Sequence, residues 1–257
     1  MTLYPAACIE WIFADEDRGF ADRVRAAKDA GIDAVEFHLW KDKPIEELAQ
    51  ALAETGVKLT SFCVDPRRSL VDPAEHDEFL EAVRGSIEAG KALGSPPMII
   101  ASGFNVPDLS HEEQHENAIV ALRRGAELAE QAGVMLLLEP LNNRVELPLI
   151  YLSSTAQALD LIEAVNSPNL RLLYDMYHSA VMGEAVPGVL GDRAHLVHHV
   201  QVADTNGRHE PGTGEVDWTA AMEELLALGY EGGIGFEYFP TMPSAASVAA
   251  ARAKISI

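Results

Sequence analysis

Along the chain, stretches with an apolar residue every three or four positions alternate with short, nearly continuous apolar runs. Phe20, Val24 and Ala27 share one helical face, as do Ile45, Leu48 and Leu52, then Phe79, Val83 and Ile87, then Ile119, Leu122 and Leu128. Leu159, Ile162 and Val165 repeat the spacing, Met222, Leu225 and Leu226 follow, and a short Ala-rich helix is expected over residues 244–254. This is the period of amphipathic helices. The runs between them read as strands over residues 4–11, 32–37, 57–62, 98–101, 134–139, 170–175, 196–201 and 233–237. Gly31, Gly56, Gly94, Gly133 and Gly229 each stand between a helical stretch and the next strand. Glycine suits the left-handed position just past a helix end, so each unit reads as helix, stop, strand.

Strict alternation of this kind predicts a parallel sheet. Eight units in 257 residues match the size of a (β/α)8 barrel, an α/β fold in which residues 1–257 form a single domain. A doubly wound open sheet is the competitor, and it ordinarily carries a Gly-rich first loop for phosphates. Here the loop after the first strand, Ile12-Phe13-Ala14-Asp15-Glu16-Asp17, is acidic and contains no glycine.

Composition narrows the function classes. Hydrophobic residues make up 48% and charged residues 23%, the balance of a soluble globular protein. No apolar run approaches the ~18 residues needed to span a bilayer, so no membrane partner is expected. The first residues lack the basic and apolar regions of a secretory signal, and a cytoplasmic location is the expectation. A formal net charge of -21 repels phosphate backbones and argues against nucleic-acid binding. Cys8 and Cys63 both fall in or beside strands and read as small core residues rather than a disulfide or a zinc ribbon.

The chemistry collects at the strand ends. Glu139, Asp175, Gln201 and Glu237 close four successive strands. In a barrel those ends surround one mouth, the place where active sites sit. Each residue alone has a plainer reading, because a carboxylate ending a strand is often the cap of the next helix. Together they crowd negative charge: two carboxylates ~4 Å apart at an effective dielectric of ~20 repel by about 4 kcal/mol. A divalent cation or protonation relieves this. Oxygen donors suit hard ions, so one Mg²⁺ or Mn²⁺ is the expected cofactor.

The surrounding motifs are Leu138-Glu139-Pro140-Leu141-Asn142, Tyr174-Asp175-Met176-Tyr177-His178 and His199-Val200-Gln201-Val202-Ala203-Asp204. Gly207-Arg208-His209-Glu210-Pro211-Gly212-Thr213-Gly214-Glu215 and Gly235-Phe236-Glu237-Tyr238 complete the set. Together they resemble the hydroxypyruvate isomerase family of the xylose-isomerase-like barrel superfamily, most strongly between residues 138 and 238. The resemblance implies that Glu139, Asp175, Gln201 and Glu237 hold the metal and that Glu139 and Glu237 double as acid and base. It also implies that His178 hydrogen-bonds the substrate and that Arg208 grips one of its carboxylate or hydroxyl groups. Trp11, after the first strand, is placed to wall the pocket. Two loops depart from the family pattern, residues 65–69 and residues 142–146, and both are expected to face the substrate. One of Glu36 and His38 is expected to reach the mouth. His198 and His199 read as structural, and Asp204 and Glu215 as candidate supports of the site.

The implied reaction is metal-assisted isomerisation of a short hydroxy-carbonyl acid, hydroxypyruvate to tartronate semialdehyde or a related step, through an enediolate. The alternatives are a ketose 3-epimerase acting on longer sugars and a non-catalytic sugar-binding barrel. A metal-dependent endonuclease needs further His ligands and a basic groove, which the sequence lacks. The partner is a small molecule, and barrels of this kind often form dimers or tetramers, although the sequence marks no interface.

Overall fold

The computed structural model describes residues 3–15 and 18–257, and its eight parallel strands pair in sequence order and close on themselves, β8 against β1. The strands are β1 (Tyr4–Cys8), β2 (Ala34–Glu36), β3 (Lys58–Cys63), β4 (Met98–Ile100), β5 (Leu136–Leu138), β6 (Leu170–Asp175), β7 (Val197–Val202) and β8 (Gly233–Phe236). The helices that follow them are α1 (Phe20–Asp29), α2 (Ile45–Thr55), α3 (His76–Ala92), α4 (His111–Ala132), α5 (Thr155–Val165), α6 (Met176–Met182), α7 (Trp218–Ala227) and α8 (Ser244–Ile255). The barrel expected from the hydrophobic pattern is therefore the fold. Glu16 and Asp17 of the acidic first loop lie outside the described residues, whereas its Asp15 accepts a hydrogen bond from the Ser244 hydroxyl at the start of α8.

Helix boundaries follow local chemistry. Ser110 caps α4 with a reciprocal box, its hydroxyl accepting from the Glu113 N–H while the Glu113 carboxylate takes the Ser110 N–H. Gly56 and Gly133 end α2 and α4 in the left-handed conformation that a glycine adopts without a Cβ clash. Helix α6 is the element that the apolar spacing does not signal. It has only seven residues, and Met176, Tyr177, His178 and Ser179 are all buried, so it presents no polar face from which a 3.6-residue period would emerge. A 3₁₀ stretch, Gly188–Leu196, completes that crossover.

Alternation along the strands sorts the side chains. Val35, Ile100, Leu138, Leu172, Tyr174, Val202 and Phe236 join the large core between sheet and helices. Their neighbours turn into the barrel, where Cys63, Ile99, Leu137 and Leu173 form a separate small apolar cluster. The other half of the interior is polar: Glu36, Ser61, His199 and Gln201 are all buried there. Strand β8 makes room with glycine. A Cβ on Gly235 would stand 2.5 Å from Glu36 Oε1.

Candidate functional site

The four strand-end residues converge. Asp175 and Gln201 are direct cross-strand partners on β6 and β7, and Gln201 pairs in turn with Gly235 on β8, two residues before Glu237. Glu139 follows β5 and is held there by its N–H donating to the Ile100 carbonyl (3.0 Å). Asp175 also caps α6, its Oδ1 accepting from the Tyr177 N–H at 2.7 Å. The capping role and the site role thus belong to the same carboxylate. All four side chains are buried. Gln201 is not the last residue of its strand, since β7 runs on to Val202.

Arg208 closes the site from the loop after β7. One terminal nitrogen lies 2.6 Å from Glu237 Oε2 and 3.3 Å from Asp175 Oδ2, and the other lies 3.0 Å from Glu146 Oε2. Its guanidinium also stacks over the Tyr177 ring at 4.8 Å and the Trp11 ring at 5.2 Å. The second oxygen of Glu237 meets His38 Nε2 at 2.6 Å. Burial alone would raise the Glu237 carboxyl, but Arg208 and His38 override it and hold it below the ordinary carboxylate range. Glu139 goes the other way: burial, reinforced by the nearby Glu237 and Asp175 charges, raises it well above that range. Among the described residues nothing hydrogen-bonds its carboxylate, the nearest donor being His178 Nε2 at 3.9 Å.

His178 has a defined tautomer. Its Nδ1 accepts the Asn142 N–H at 3.0 Å, so the proton sits on Nε2, which faces Asp175 Oδ2 at 3.5 Å. Burial, with Arg208 nearby, lowers its pKa well below the usual value and keeps the ring neutral. Asn142 itself is fixed by its Oδ1, which accepts from the N–H groups of Val145 and Glu146.

Beneath the mouth a second layer supports Gln201. Glu36 Oε1 accepts from Gln201 Nε2 at 2.8 Å, and Glu36 Oε2 meets His199 Nε2 at 2.6 Å. With its nitrogen engaged there, the Gln201 amide oxygen is a buried polar atom without a partner. Gln201 is the cross-strand partner of Asp175, which with Glu139 and His178 forms a group whose donor atoms lie within 4.8 Å of one another. Buried carboxylates and an unpaired amide oxygen are donors of the kind that a hard divalent cation takes, so Glu139, Asp175 and Gln201 fit such an ion, with Glu237 linked to Asp175 through Arg208. A neighbouring group, Cys8, His38 and Glu237, is equally compact; it contains a thiol and shares no residue with the first, and Glu237 belongs to it rather than to the Glu139–Asp175–His178 group.

A cavity of about 260 Å³ opens above the carboxylates, lined by Trp11, His38, Arg67, Glu139, His178, Arg208 and Glu237 among others. It is smaller than the ~300–1,000 Å³ typical of drug-sized ligand sites and suits a small metabolite. Both departing loops reach it, residues 65–69 through Arg67 and Arg68, residues 142–146 through Glu146. Of the two residues ending β2, His38 faces the cavity while Glu36 lies within the barrel. His199 is buried against Glu36, and His198 is exposed. Asp204 supports the loop after β7, accepting from the Thr205 and Gly212 N–H groups and from Trp218 Nε1. Glu215 is exposed on that loop.

Sequence reasoning did not give the partners of these groups. The bonds from His38 to Glu237, from Asn142 to His178 and from Glu36 to His199 span 199, 36 and 163 residues. The available signal was the repeated acidic or polar residue at strand ends, which Glu36 shares with the four proposed ligands.

Comparison with known proteins places this geometry. Residues 24–255 match the family described as xylose isomerase-like TIM barrel. Hydroxypyruvate isomerase of Escherichia coli strain K12 is 30% identical over 242 residues, covering 91% of this chain and 93% of that protein. The 2-oxo-tetronate isomerase of Pectobacterium atrosepticum is 28% identical over 242 residues, covering 91% of each. A crystal structure of AP endonuclease, family 2, from Brucella melitensis superposes with a TM-score of 0.88 at 26% identity, covering 97% of this chain and 98% of that one. The chain belongs to the xylose isomerase-like TIM barrel family and, within it, to the hydroxypyruvate isomerase family of enzymes.

Proposed function

We propose that this enzyme isomerises a short hydroxy-keto acid, hydroxypyruvate to tartronate semialdehyde or the equivalent step on a slightly longer acid, with one divalent cation held by Glu139, Asp175, Gln201 and Glu237. The observation that carries the reading is the buried, unpartnered Gln201 oxygen on the strand beside Asp175, together with Glu139 and Glu237 lining a small cavity. The hydroxypyruvate and 2-oxo-tetronate isomerases among its relatives support the substrate class. Mg²⁺ and Mn²⁺ are the cations that an all-oxygen donor set favours.

The reaction is redox-neutral overall. One proton leaves the carbon that bears the hydroxyl, another is delivered to the former carbonyl carbon, and a hydroxyl proton passes from one oxygen to the other. A bound cation would supply Lewis-acid stabilisation of the charge that develops on the substrate oxygens. Glu139 and Glu237 border the cavity and exchange the carbon-bound protons. Arg208 and His38 hold both oxygens of Glu237 in place. Neutral His178 presents an N–H to the same space and binds a substrate oxygen. Trp11 walls the cavity and restricts water.

Turnover of hydroxypyruvate with Mn²⁺ in heavy water tests this reading. Deuterium on the product carbon is expected for transfer through an enediolate; an unlabelled product would mean a hydride shift. A second reading is favoured by one feature. A further cavity of about 540 Å³ shares Arg67, Arg68, Ala101, Leu141 and Leu147 with the first, which leaves room for the longer ketose of a 3-epimerase. A panel of ketoses and short keto-acids separates the two.

A further inference from the structure

We infer that Arg67, in the loop after β3, is the residue that recognises the substrate's carboxylate; this rests on the keto-acid isomerase reading above. An anionic substrate enters a chain of net charge -21 and meets a cavity lined by Glu139, Glu146 and Glu237. A cation must offset that repulsion. Three arginines line the cavity: Arg67, Arg68 and Arg208. Arg208 is committed to Glu146, Asp175 and Glu237. Arg68 is bound to Glu78 at 2.6 Å. Among the described residues Arg67 makes no ion pair; its side chain meets the Cys63 thiol, the Glu139 and Glu237 charges act on it from beyond contact distance, and the residue is exposed at the cavity.

The loop that carries Arg67 is pinned on both sides. Asp65 Oδ2 accepts the Lys41 N–H, and the Asp65 N–H donates to Ser86 Oγ. Ser69 gives its N–H to Glu75 and accepts from the N–H groups of Val71 and Asp72. The facing loop packs so closely that a Cβ on Gly103 would lie 2.7 Å from Ser69 Cα. A planar fork on an anchored loop is suited to a carboxylate, which it binds through two parallel N–H bonds. Arg67 also stands where the two cavities join, so the acid end of the substrate would lie at that junction and its hydroxy-ketone end over Glu139 and Glu237.

The test combines kinetics with binding of an unreactive acid. Wild type, Arg67→Gln and Arg67→Lys are assayed with hydroxypyruvate and with dihydroxyacetone, which has the same hydroxy-ketone but no charge. Glycerate binding to each protein is followed by calorimetry. The expected result for Arg67→Gln is a roughly 10- to 100-fold rise in the KM for hydroxypyruvate and a similar loss of glycerate affinity. The fall in kcat and the change with dihydroxyacetone should be much smaller, Arg67→Lys should recover part of the loss, and Mn²⁺ affinity should stay as in wild type. Unchanged KM and unchanged glycerate affinity in Arg67→Gln would overturn the inference while leaving the isomerase reading intact. A wild-type protein that turns over no keto-acid but binds glycerate in an Arg67-dependent way would sink the isomerase reading and support the carboxylate site.

Discussion

Gln201 donates its amide nitrogen to Glu36 at 2.8 Å, and this bond decides which end of the amide is left for the site. The nitrogen is held inside the barrel, so the oxygen is the atom left unpaired beside Asp175, its cross-strand partner. Glu36 in turn is fixed by His199 and by the hydroxyls of Thr60 and Ser61. Supporting groups of this kind tune affinity without touching the ion. Glu36→Ala is expected to weaken Mn²⁺ binding by about 10- to 100-fold while the barrel stays folded. Gly235→Ala should act in the same direction, because its new Cβ would displace the Glu36 carboxylate. Calorimetric Mn²⁺ titration checks both, and wild-type affinity in the two variants would show that the amide needs no such support.

Glu237 differs from Glu139 in having both oxygens engaged, by Arg208 and His38. Glu237→Gln keeps the shape and removes the charge. We expect kcat to fall by roughly 10²- to 10⁴-fold with an unaltered circular dichroism spectrum. Activity within a few-fold of wild type would remove Glu237 from the proton-transfer pair.

The loop after β7 carries Arg208, and Asp204 ties it down. Burial alone would raise the Asp204 carboxyl. Donors from Trp218 and from the backbone at Gly212, Gly214 and Thr205 override it and hold the pKa below the ordinary 3.8. A carboxyl depressed in the folded state contributes stability that is complete above 3.8 and is lost as pH falls through the lower folded value. Acidification through that window should loosen the loop. Asp204→Asn should loosen it already at neutral pH, seen as faster amide exchange across residues 204–216. Exchange at the wild-type rate would show that Asp204 does not hold the loop.

Inside the barrel, Leu173 packs with Cys63, Ile99 and Leu137 in a cluster separate from the main core. Leu173→Ala should cost about 2–5 kcal/mol. Val145→Ser, at a side chain 67% exposed, should stay within about 0.5 kcal/mol. Urea denaturation measures both, and equal effects would mean that the interior cluster contributes little.

The strands and most helices were legible because burial imposes a period on the sequence. Strand β6 matches its expected limits, residues 170–175, because it is bounded by a turn before and a helix cap after. Helix α6 was not legible, since seven residues, the first four of them buried, are too few to display a period. The four strand-end residues stood out because a polar residue closing an apolar run is conspicuous. Glu36 shows the same signal, and only the closure of the barrel separates it from them by setting it against His199 and Gln201. Arg67 was visible only as part of the 65–69 loop expected to face the substrate, and the sequence did not separate it from Arg68. The role proposed for it depends on the ion pairs that already occupy Arg68 and Arg208, which sequence spacing does not encode.

The account rests on one cation shared by four residues from consecutive strands. Anomalous diffraction from a crystal grown with Mn²⁺ measures this directly. The expected result is a single strong peak ligated by Glu139, Asp175, Gln201 Oε1 and Glu237. A peak held instead by Cys8 and His38, or none near Gln201, would contradict it.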